Sequence, residues 1–253
     1  MSTVVEKIAE WQSLRRGPQF AGKTIGFVPT MGALHAGHLA LLDQARREND
    51  VVVLSVFVNP AQFDDPNDLN RYPRDLAADL ALAGDRIDWT LAPPAAEMYP
   101  DGYRYRVTEK ILSLRWEGVH RPGHFDGVLT VVLKLLNLVQ ANRAYFGEKD
   151  WQQLGLVRGM AHALFLPTVI VPCPVVRADD GLALSSRNRR LSPEARAKAA
   201  FFPKILRSAR DPVAAEAQLR TAGFVVDYVA DEGEGRVGAV RCDGLRLIDY
   251  VRL

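Results

Sequence analysis

Two histidines separated by three positions are the residues of this chain whose spacing most clearly suggests chemistry. His35 and His38 stand on either side of an Ala-Gly pair, so that Gly37 directly precedes the second histidine. Residues 24–28 before them predict a strand, and residues 38–48 predict a helix. The first N–H groups of a helix have no internal partners, and the helix dipole favours an anion beside them. A reacting phosphate group could bind at this junction, with imidazole N–H groups as donors.

Two other interpretations of the histidine pair stay open at this point. The side chains could simply cap the helix or pack against its first turn. They could also hold zinc, although a zinc site needs a third ligand and no further cluster of His or Cys supplies an obvious one. Gly32 and Gly37 favour a ligand, because a glycine lets a ligand approach the backbone closely. The HxGH pattern therefore predicts adenylyl transfer from ATP.

Polar side chains also follow a second predicted strand, residues 51–58. Asn59 and Gln62 stand where this buried, β-branched run ends. Their amides could hydrogen-bond a polar substrate without adding charge. A plain turn that begins at Asn59 is the alternative.

Three further segments carry groups that suit phosphates or polar substrates. Residues 121–127 contain Arg121 and His124, although this stretch could merely begin a helix. Residues 147–153 and 180–188 follow later in the chain. A lysine at a strand-to-helix junction suits a phosphate, and two serines with an arginine in one loop could form a second phosphate clamp. A helix cap beside a solvated lysine, and an exposed linker, are the respective alternatives.

Composition places the chain among ordinary globular proteins. It has 253 residues, 32 basic and 30 acidic side chains, and a net charge of +2, so no strong field marks a nucleic-acid or membrane partner. The two cysteines, Cys173 and Cys242, lack a metal-binding spacing. No signal peptide and no apolar run of transmembrane length is evident, so a cytoplasmic location is expected.

Strand-like and helix-like segments alternate through the first two thirds of the chain. The strands are predicted at residues 24–28, 51–58, 89–92, 144–146 and 168–171, and the helices at residues 38–48, 75–83, 127–140 and 151–164. This order predicts a Rossmann-like, doubly wound parallel α/β sheet, whose ligands bind beyond the carboxyl ends of the strands.

The pattern changes near residue 176, and a smaller α+β domain is expected after it. Its predicted helices are residues 193–207 and 212–222, and its predicted strands are residues 225–229, 238–242 and 245–251. We therefore expect a catalytic domain over residues 1–175 and a small lid domain over residues 176–253.

The motifs together resemble one enzyme family. PTMGALHxGH, FVNPxQF, RPGHFxGV, GEKDxQQL and DGLAxSSRN occur in this order, between about residues 23 and 199, and the similarity resumes at residues 223–228 and 246–249. Each motif alone is weakly specific, but the ordered set is similar to pantothenate synthetases (pantoate–β-alanine ligases), which belong to the HxGH nucleotidyltransferase-like group.

The resemblance implies a two-step reaction. The carboxylate of pantoate attacks the α-phosphorus of ATP, which gives pantoyl adenylate and pyrophosphate. The amine of β-alanine then attacks the acyl carbon, which releases AMP and pantothenate. No enzyme nucleophile is needed, so the protein contributes positioning and charge stabilisation.

The resemblance also implies roles by position. His38 is the usual candidate for the catalytic proton donor, with His35, Lys149 and Arg187 acting on the phosphates. The expected nucleotide site comprises Met31, Gly32, Ala33, Leu34, His35, Ala36, Gly37, His38, Gly147, Glu148, Lys149, Asp150, Val176, Leu184, Ser185, Ser186 and Arg187.

The remaining expectations concern the acid substrate, the metal and the assembly. Gln62 and Gln153, with Asn59, would hold pantoate, and Asp79 would be a partner for Mg²⁺, which keeps water and binds through phosphates and few carboxylates. A homodimer is implied by the resemblance alone.

Two competing functions differ in class. One is a nucleotidyltransferase that stops at an adenylated product, which the paired amides of Gln62 and Gln153 disfavour. The other is a nucleotide-binding regulatory module without turnover, which is disfavoured by the presence of His35, His38, Lys149 and Arg187.

Overall fold

A six-stranded parallel sheet forms the centre of the first of two compact units. The computed structural model describes residues 2–253. The strands are β1 (Thr3–Val5), β2 (Ile25–Thr30), β3 (Val51–Val56), β4 (Trp89–Leu91), β5 (Arg143–Gly147) and β6 (Val169–Cys173), in the order β1-β4-β3-β2-β5-β6. Five of the six residues of β3 are buried, as expected for an apolar strand covered on both faces.

Eight helices accompany these strands in the chain. They are α1 (Ile8–Arg15), α2 (Ala36–Glu48), α3 (Pro66–Arg71), α4 (Leu76–Ala83), α5 (Ala95–Met98), α6 (Glu117–His120), α7 (His124–Val139) and α8 (Trp151–Ala163). One face of the sheet packs Val28 and Leu54 against Leu42 of α2 and Ala83 of α4. On the other side α1 packs on α7, where the indole of Trp11 donates to the carbonyl of Leu138 at 2.8 Å.

The strand order reverses between β2 and β5. From β2 the chain proceeds outward through β3 and β4 on one side, whereas β5 and β6 continue on the other side. In open parallel sheets a ligand binds at such a reversal, beyond the carboxyl ends of the two strands. The residues that follow β2 and β5 are therefore the ones placed for chemistry.

The second unit is built on a small antiparallel sheet. Its elements are α9 (Pro193–Ala199), α10 (Phe201–Ser208), α11 (Pro212–Thr221), β7 (Val225–Glu232), β8 (Gly235–Cys242) and β9 (Leu245–Arg252). Phe202 and Leu206 of α10 pack with Leu219, Val240 and Leu247 in one apolar cluster. The predicted fold class, a doubly wound parallel sheet with a smaller α+β part, is confirmed.

One predicted helix is in fact two. Residues 193–207 were expected as a continuous helix, but α9 ends at Ala199 and α10 begins at Phe201. Pro203 explains the division, because its nitrogen has no hydrogen for a bond to the carbonyl of Ala199 and its ring crowds that carbonyl. Proline is tolerated in a first turn, which is where α10 has it.

Neither unit is one continuous stretch of the chain. The first comprises residues 2–34, His38–Phe146 and Gln152–Cys173, and the second comprises His35–Gly37, Gly147–Trp151 and Pro174–Leu253. The expected domains, residues 1–175 and 176–253, stay a prediction. Among the helices of residues 2–253, none combines the length and the apolar character needed to cross a bilayer.

Candidate active site

The loop after β2 is shaped around a buried carboxylate. Gly32 and Ala33 both have positive φ angles, 78° and 52°. The backbone N–H of Ala33 donates to Oδ2 of Asp79 at 3.0 Å, and that of Leu34 donates to Oδ1 at 2.7 Å. A Cβ atom added to Gly32 would lie 2.7 Å from Oδ2 of Asp79, so glycine is required there for space as well as for φ.

A threonine at the end of β2 completes this loop. The hydroxyl of Thr30 donates to the carbonyl of Ser55 at 2.7 Å and accepts from the N–H of Gly32 at 3.1 Å. The predicted nucleotide residues Met31 to Leu34 are therefore held by Thr30 and Asp79. His38 follows in the first turn of α2 and is half-buried.

Asp79 has the loop backbone as its partner. Its side chain is only 5% exposed near the start of α4, and each carboxylate oxygen accepts one of the two N–H groups. Within residues 2–253 no group of three His, Cys, Asp or Glu side chains could hold a metal ion. The expected magnesium contact of Asp79 stays a prediction, while its structural contacts are with Ala33 and Leu34.

Asn59 is a buried residue that hydrogen-bonds to the side chain of Gln62. Its side chain is 1% exposed, and its Nδ2 donates to Oε1 of Gln62 at 3.0 Å and to the carbonyl of Gly127 at 3.1 Å. The Nε2 of Gln62 lies 3.2 Å from Sδ of Met31. Gln62, half-buried at the end of the loop after β3, is thus placed to meet a ligand, whereas the direct substrate contact expected of Asn59 stays a prediction.

Arg121 and His124 support the backbone of Gln62. Nδ1 of His124 donates to the carbonyl of Gln62 at 2.8 Å, and Nη2 of Arg121 donates to the same oxygen at 3.2 Å. Burial and the neighbouring guanidinium of Arg121 lower the pKa of His124 to about 4. The ring is therefore neutral, so its Nε2 accepts from Nη1 of Arg121 at 3.0 Å.

The two adjacent glutamines at the start of α8 differ in burial. Gln152 is buried, donates to the carbonyls of Leu112 and Arg115 at 2.7 Å each, and accepts from the N–H of Glu117. Gln153 is half-buried instead. The amide of Gln152 holds the preceding loop, so Gln153 is the residue of the pair whose position suits a substrate.

In the second unit, His35 is held as a neutral donor. The N–H of Gly37 donates to its Nδ1 at 3.1 Å, so the ring proton belongs on Nε2. Burial, followed by the positive charges of Lys149 and Arg189, lowers the pKa of His35 to about 4, while Asp150 opposes the shift. His35 is therefore a neutral imidazole with its ring proton on Nε2 throughout the physiological pH range.

The turn that carries Lys149 is braced by β9. Glu148 has a buried side chain whose Oε1 accepts from Nη2 of Arg252 at 2.5 Å. The rings of Trp151 and Tyr250 stack at 4.1 Å with 7° between their planes. Lys149, between these two anchors, is half-buried with its ammonium 3.7 Å from the carboxylate of Asp150.

The loop that contains Ser185, Ser186 and Arg187 is held in place by hydrogen bonds. Leu184 donates its N–H to the carbonyl of Val176 at 3.0 Å, and Oγ of Ser185 accepts from the N–H of Arg187 at 3.3 Å. Arg177 ties the base of this loop to β9 through a bidentate pair with Asp249. The interpretation as an exposed linker does not fit these contacts.

The predicted nucleotide residues thus fall into two groups. Met31 to Leu34 and His38 belong to the first unit. The second unit holds the remaining members, which are His35, Ala36, Gly37, Gly147, Glu148, Lys149, Asp150, Val176, Leu184, Ser185, Ser186 and Arg187. Thr30 stands inside PTMGALHxGH without a predicted role, and no motif contains Tyr99 or Arg177, whose contacts are with residues far away in sequence.

The protonation state of His35 is testable. With a pKa of about 4, the ring stays neutral as the pH falls from 8 to 5.5, whereas an ordinary histidine gains a proton in that interval. ¹⁵N NMR of the imidazoles, with His35 assigned from the spectrum of His35→Gln, should show a non-titrating ring with its proton on Nε2. A midpoint above pH 6 would contradict the assignment.

Comparison with known proteins identifies the family. A family model described as pantoate-beta-alanine ligase matches residues 3–252. A protein from Bdellovibrio bacteriovorus named pantothenate synthetase is 50% identical over 254 residues, covering 100% of both chains. The crystal structure of pantothenate synthetase from Thermus thermophilus has a TM-score of 0.90 at 45% identity, with 99% of each chain covered.

A further solved structure is similar over its whole length. It is a pantoate-beta-alanine ligase from Francisella tularensis complexed with beta-gamma ATP and beta-alanine, with a TM-score of 0.93, 38% identity, and coverage of 100% of this chain and 98% of that one. Because the family model and these relatives all span nearly the entire sequence, the chain belongs to the pantoate–β-alanine ligase family.

Proposed function

We propose that this protein condenses pantoate with β-alanine in an ATP-dependent reaction that passes through pantoyl adenylate and releases AMP and pyrophosphate. Membership of the ligase family over residues 3–252 carries the proposal. The similarity to a ligase complexed with beta-gamma ATP and beta-alanine supports it. Gln62, in the loop after β3, supplies an amide beyond the carboxyl end of a strand, where ligands of such sheets bind.

The chemistry calls for positioning rather than covalent catalysis. The pantoate carboxylate forms a bond to the α-phosphorus as the bond to pyrophosphate breaks, and the β-alanine amine later displaces AMP from the acyl carbon. Positive charge and preorganised N–H donors stabilise the charge that develops on the phosphate oxygens. Lys149, Arg187 and the two histidines are the side chains that we assign to this role.

The two histidines have different tasks in this proposal. We assign His35 to a phosphate oxygen as a neutral donor, because the N–H of Gly37 at its Nδ1 places the ring proton on Nε2. His38, in the first turn of α2, donates to the oxygen that gains charge as pyrophosphate leaves. A transition-state hydrogen bond from His38 is sufficient, because pyrophosphate hardly needs a proton to depart.

We assign pantoate to the two glutamines and ATP to the loops. Gln62 and Gln153 bind the hydroxy acid through neutral amides, which leave its carboxylate charged and nucleophilic. The backbone of residues 31–34 and the serines of residues 185–186 contact the nucleotide, and Asp150 contacts the ribose. The cytoplasmic location stays a prediction.

Removing the imidazole of His38 tests the catalytic assignment. His38→Ala should reduce pantoate-dependent exchange of pyrophosphate into ATP by about 10²–10³, the usual effect of losing one preorganised donor. His162→Ala, at an exposed histidine of α8, is the matched control and should leave exchange unchanged. Exchange that proceeds without pantoate, or that survives intact in His38→Ala, would refute the assignment.

Magnesium is expected to bind chiefly through the phosphates of ATP and water. Both carboxylate oxygens of Asp79 already accept backbone N–H groups, which suits a loop-holding role better than a dedicated metal cage. The acidic side chains of the described residues supply no cluster of three for the ion.

Asp79→Asn separates the two roles of Asp79. An amide has one acceptor instead of two, so the loop of residues 31–34 loses an anchor, and the KM for ATP should rise about tenfold at every Mg²⁺ concentration. The Mg²⁺ concentration that gives half-maximal rate should stay unchanged. A large rise in that concentration with an unaltered KM for ATP would instead make Asp79 a metal ligand.

An apolar surface in the first unit supports the proposed homodimer. Tyr105, Ile111, Leu114 and Val119 are all more than 60% exposed within one short segment. Closely spaced exposed apolar side chains of this size are typical of protein interfaces. We propose that this segment contacts a second copy of the chain.

Light scattering tests this interface. The wild-type protein should have twice the mass of one chain, and Ile111→Asp should lower it to that of one chain because a charge would be buried without a partner. Val213→Asp, at an equally exposed valine of the second unit, should not change the mass. A monomeric wild-type protein would rule out the dimer.

A further inference from the structure

Tyr99, a residue outside all of the sequence motifs, is joined to Gln62 by hydrogen bonds. Its hydroxyl lies 2.7 Å from Oδ1 of Asn59, and Nδ2 of Asn59 lies 3.0 Å from Oε1 of Gln62. All three residues belong to the first unit. The chain of contacts runs from a tyrosine after α5 to the amide that faces the candidate substrate position.

The direction of every hydrogen bond in this chain follows from two backbone groups. The N–H of Ala61 can only donate, and it lies 3.3 Å from one side-chain atom of Asn59, which must therefore be the oxygen. The carbonyl of Gly127 can only accept, and it lies 3.1 Å from the other atom, which must be the nitrogen. The amide of Asn59 thus has one possible orientation.

The orientation of Asn59 determines that of Gln62. Since the atom of Asn59 nearest to Gln62 is a donor, the atom of Gln62 that it meets must be the acceptor Oε1. The Nε2 of Gln62 then lies on the opposite side of its amide, 3.2 Å from Sδ of Met31, which is a weak acceptor. Gln62 therefore presents N–H groups, and not its oxygen, on the side away from Asn59.

The same reasoning makes Tyr99 a donor. Oδ1 of Asn59 accepts only, so the phenolic hydrogen must point toward it. The ring of Tyr99 is held edge-on to Tyr103 at 5.3 Å, and the ammonium of Lys134 lies 4.6 Å from its centroid. Burial raises the pKa of Tyr99, so the hydroxyl keeps the hydrogen that it donates at any physiological pH.

We propose that Tyr99 is a positioning residue for the acid substrate, because it holds Asn59, and through Asn59 the Gln62 amide, with N–H groups directed at an oxygen of pantoate. The inference rests on the proposed role of Gln62 as a ligand of pantoate. The oxygens of an ionised hydroxy acid are acceptors, so a donor side of Gln62 matches them and the opposite orientation would repel them. Asn59 is 1% exposed, so it acts through Gln62.

Tyr99→Phe tests the proposal with minimal change in packing. Loss of one neutral hydrogen bond should lower kcat/KM for pantoate about three- to tenfold, since such bonds contribute around 0.5–1.5 kcal/mol. The KM for ATP should not change. Tyr145→Phe is the matched control, because the hydroxyl of Tyr145 also hydrogen-bonds to side chains, those of Asn49 and Glu48, which we do not assign to the site.

A double-mutant cycle distinguishes positioning from a general structural effect. If Tyr99 acts through Gln62, Tyr99→Phe should have no further effect on kcat/KM for pantoate in the Gln62→Ala background. Independent effects that multiply in the double variant would overturn the proposal, as would a Tyr99→Phe variant that behaves like the wild type.

Other outcomes of the same measurements separate this inference from the proposed function. A wild-type protein without pantoate-dependent pyrophosphate exchange would refute the function itself. A Gln62→Ala variant with normal kinetics for pantoate would refute the role of Gln62, and with it the positioning role of Tyr99. A strong effect of Gln62→Ala beside no effect of Tyr99→Phe would overturn only the role of Tyr99.

Discussion

The pair of hydrogen bonds between the carboxylate of Asp79 and the N–H groups of Ala33 and Leu34 is the constraint on which the loop after β2 and the start of α2 depend. Ala33 has a φ of 52°, a conformation that costs a residue with a side chain about 1–2 kcal/mol. Two hydrogen bonds to a charged acceptor contribute roughly 1.5–3 kcal/mol each, which offsets that strain. The chain can therefore turn sharply after β2 and begin α2 at Ala36 with His38 in its first turn.

A buried neighbour likewise holds three of the residues that we propose as ligand contacts. Gln62 is held by Asn59, Lys149 stands between the anchors of Glu148 and Trp151, and Gln153 follows the buried Gln152. In each case a buried neighbour in the same motif has its polar atoms satisfied by protein groups. A motif such as GEKDxQQL thus contains both the groups that we propose as ligand contacts and the buried groups that keep them in place.

The fold was predictable from local patterns to a large extent. The apolar run of β3 and the helical periodicity of α7 identify the central strand and a buried helix, and their order indicates the doubly wound sheet. The break between α9 and α10 was missed because apolar periodicity continues across it, although Pro203 was a visible signal. The grouping of His35–Gly37 and Gly147–Trp151 with the second unit has no local signal at all.

The site was predictable only for residues that carry recognisable chemistry in one segment. His35, His38, Gln62 and Lys149 stand in such segments. Asp79 meets Leu34 from 45 residues away, and Tyr99 meets Asn59 from 40 residues away. Local spacing contains no information on these contacts, which arise because α4 and the residue after α5 pack against the loops that follow β2 and β3.

The hydrogen bonds of the ring nitrogens determine where His35 and His124 carry their protons. His35 and His124 both have a pKa lowered to about 4 by burial and nearby cations, yet they do opposite things with the same neutral ring. The Nδ1 of His124 donates to a backbone carbonyl, and its other nitrogen accepts from Arg121, so its capacity is used within the protein. In His35 the backbone N–H of Gly37 occupies the acceptor Nδ1, so the ring proton lies on Nε2. A neutral ring beside Lys149 and Arg189 adds no positive charge to theirs, which suits the proposed role of this segment at a polyanion.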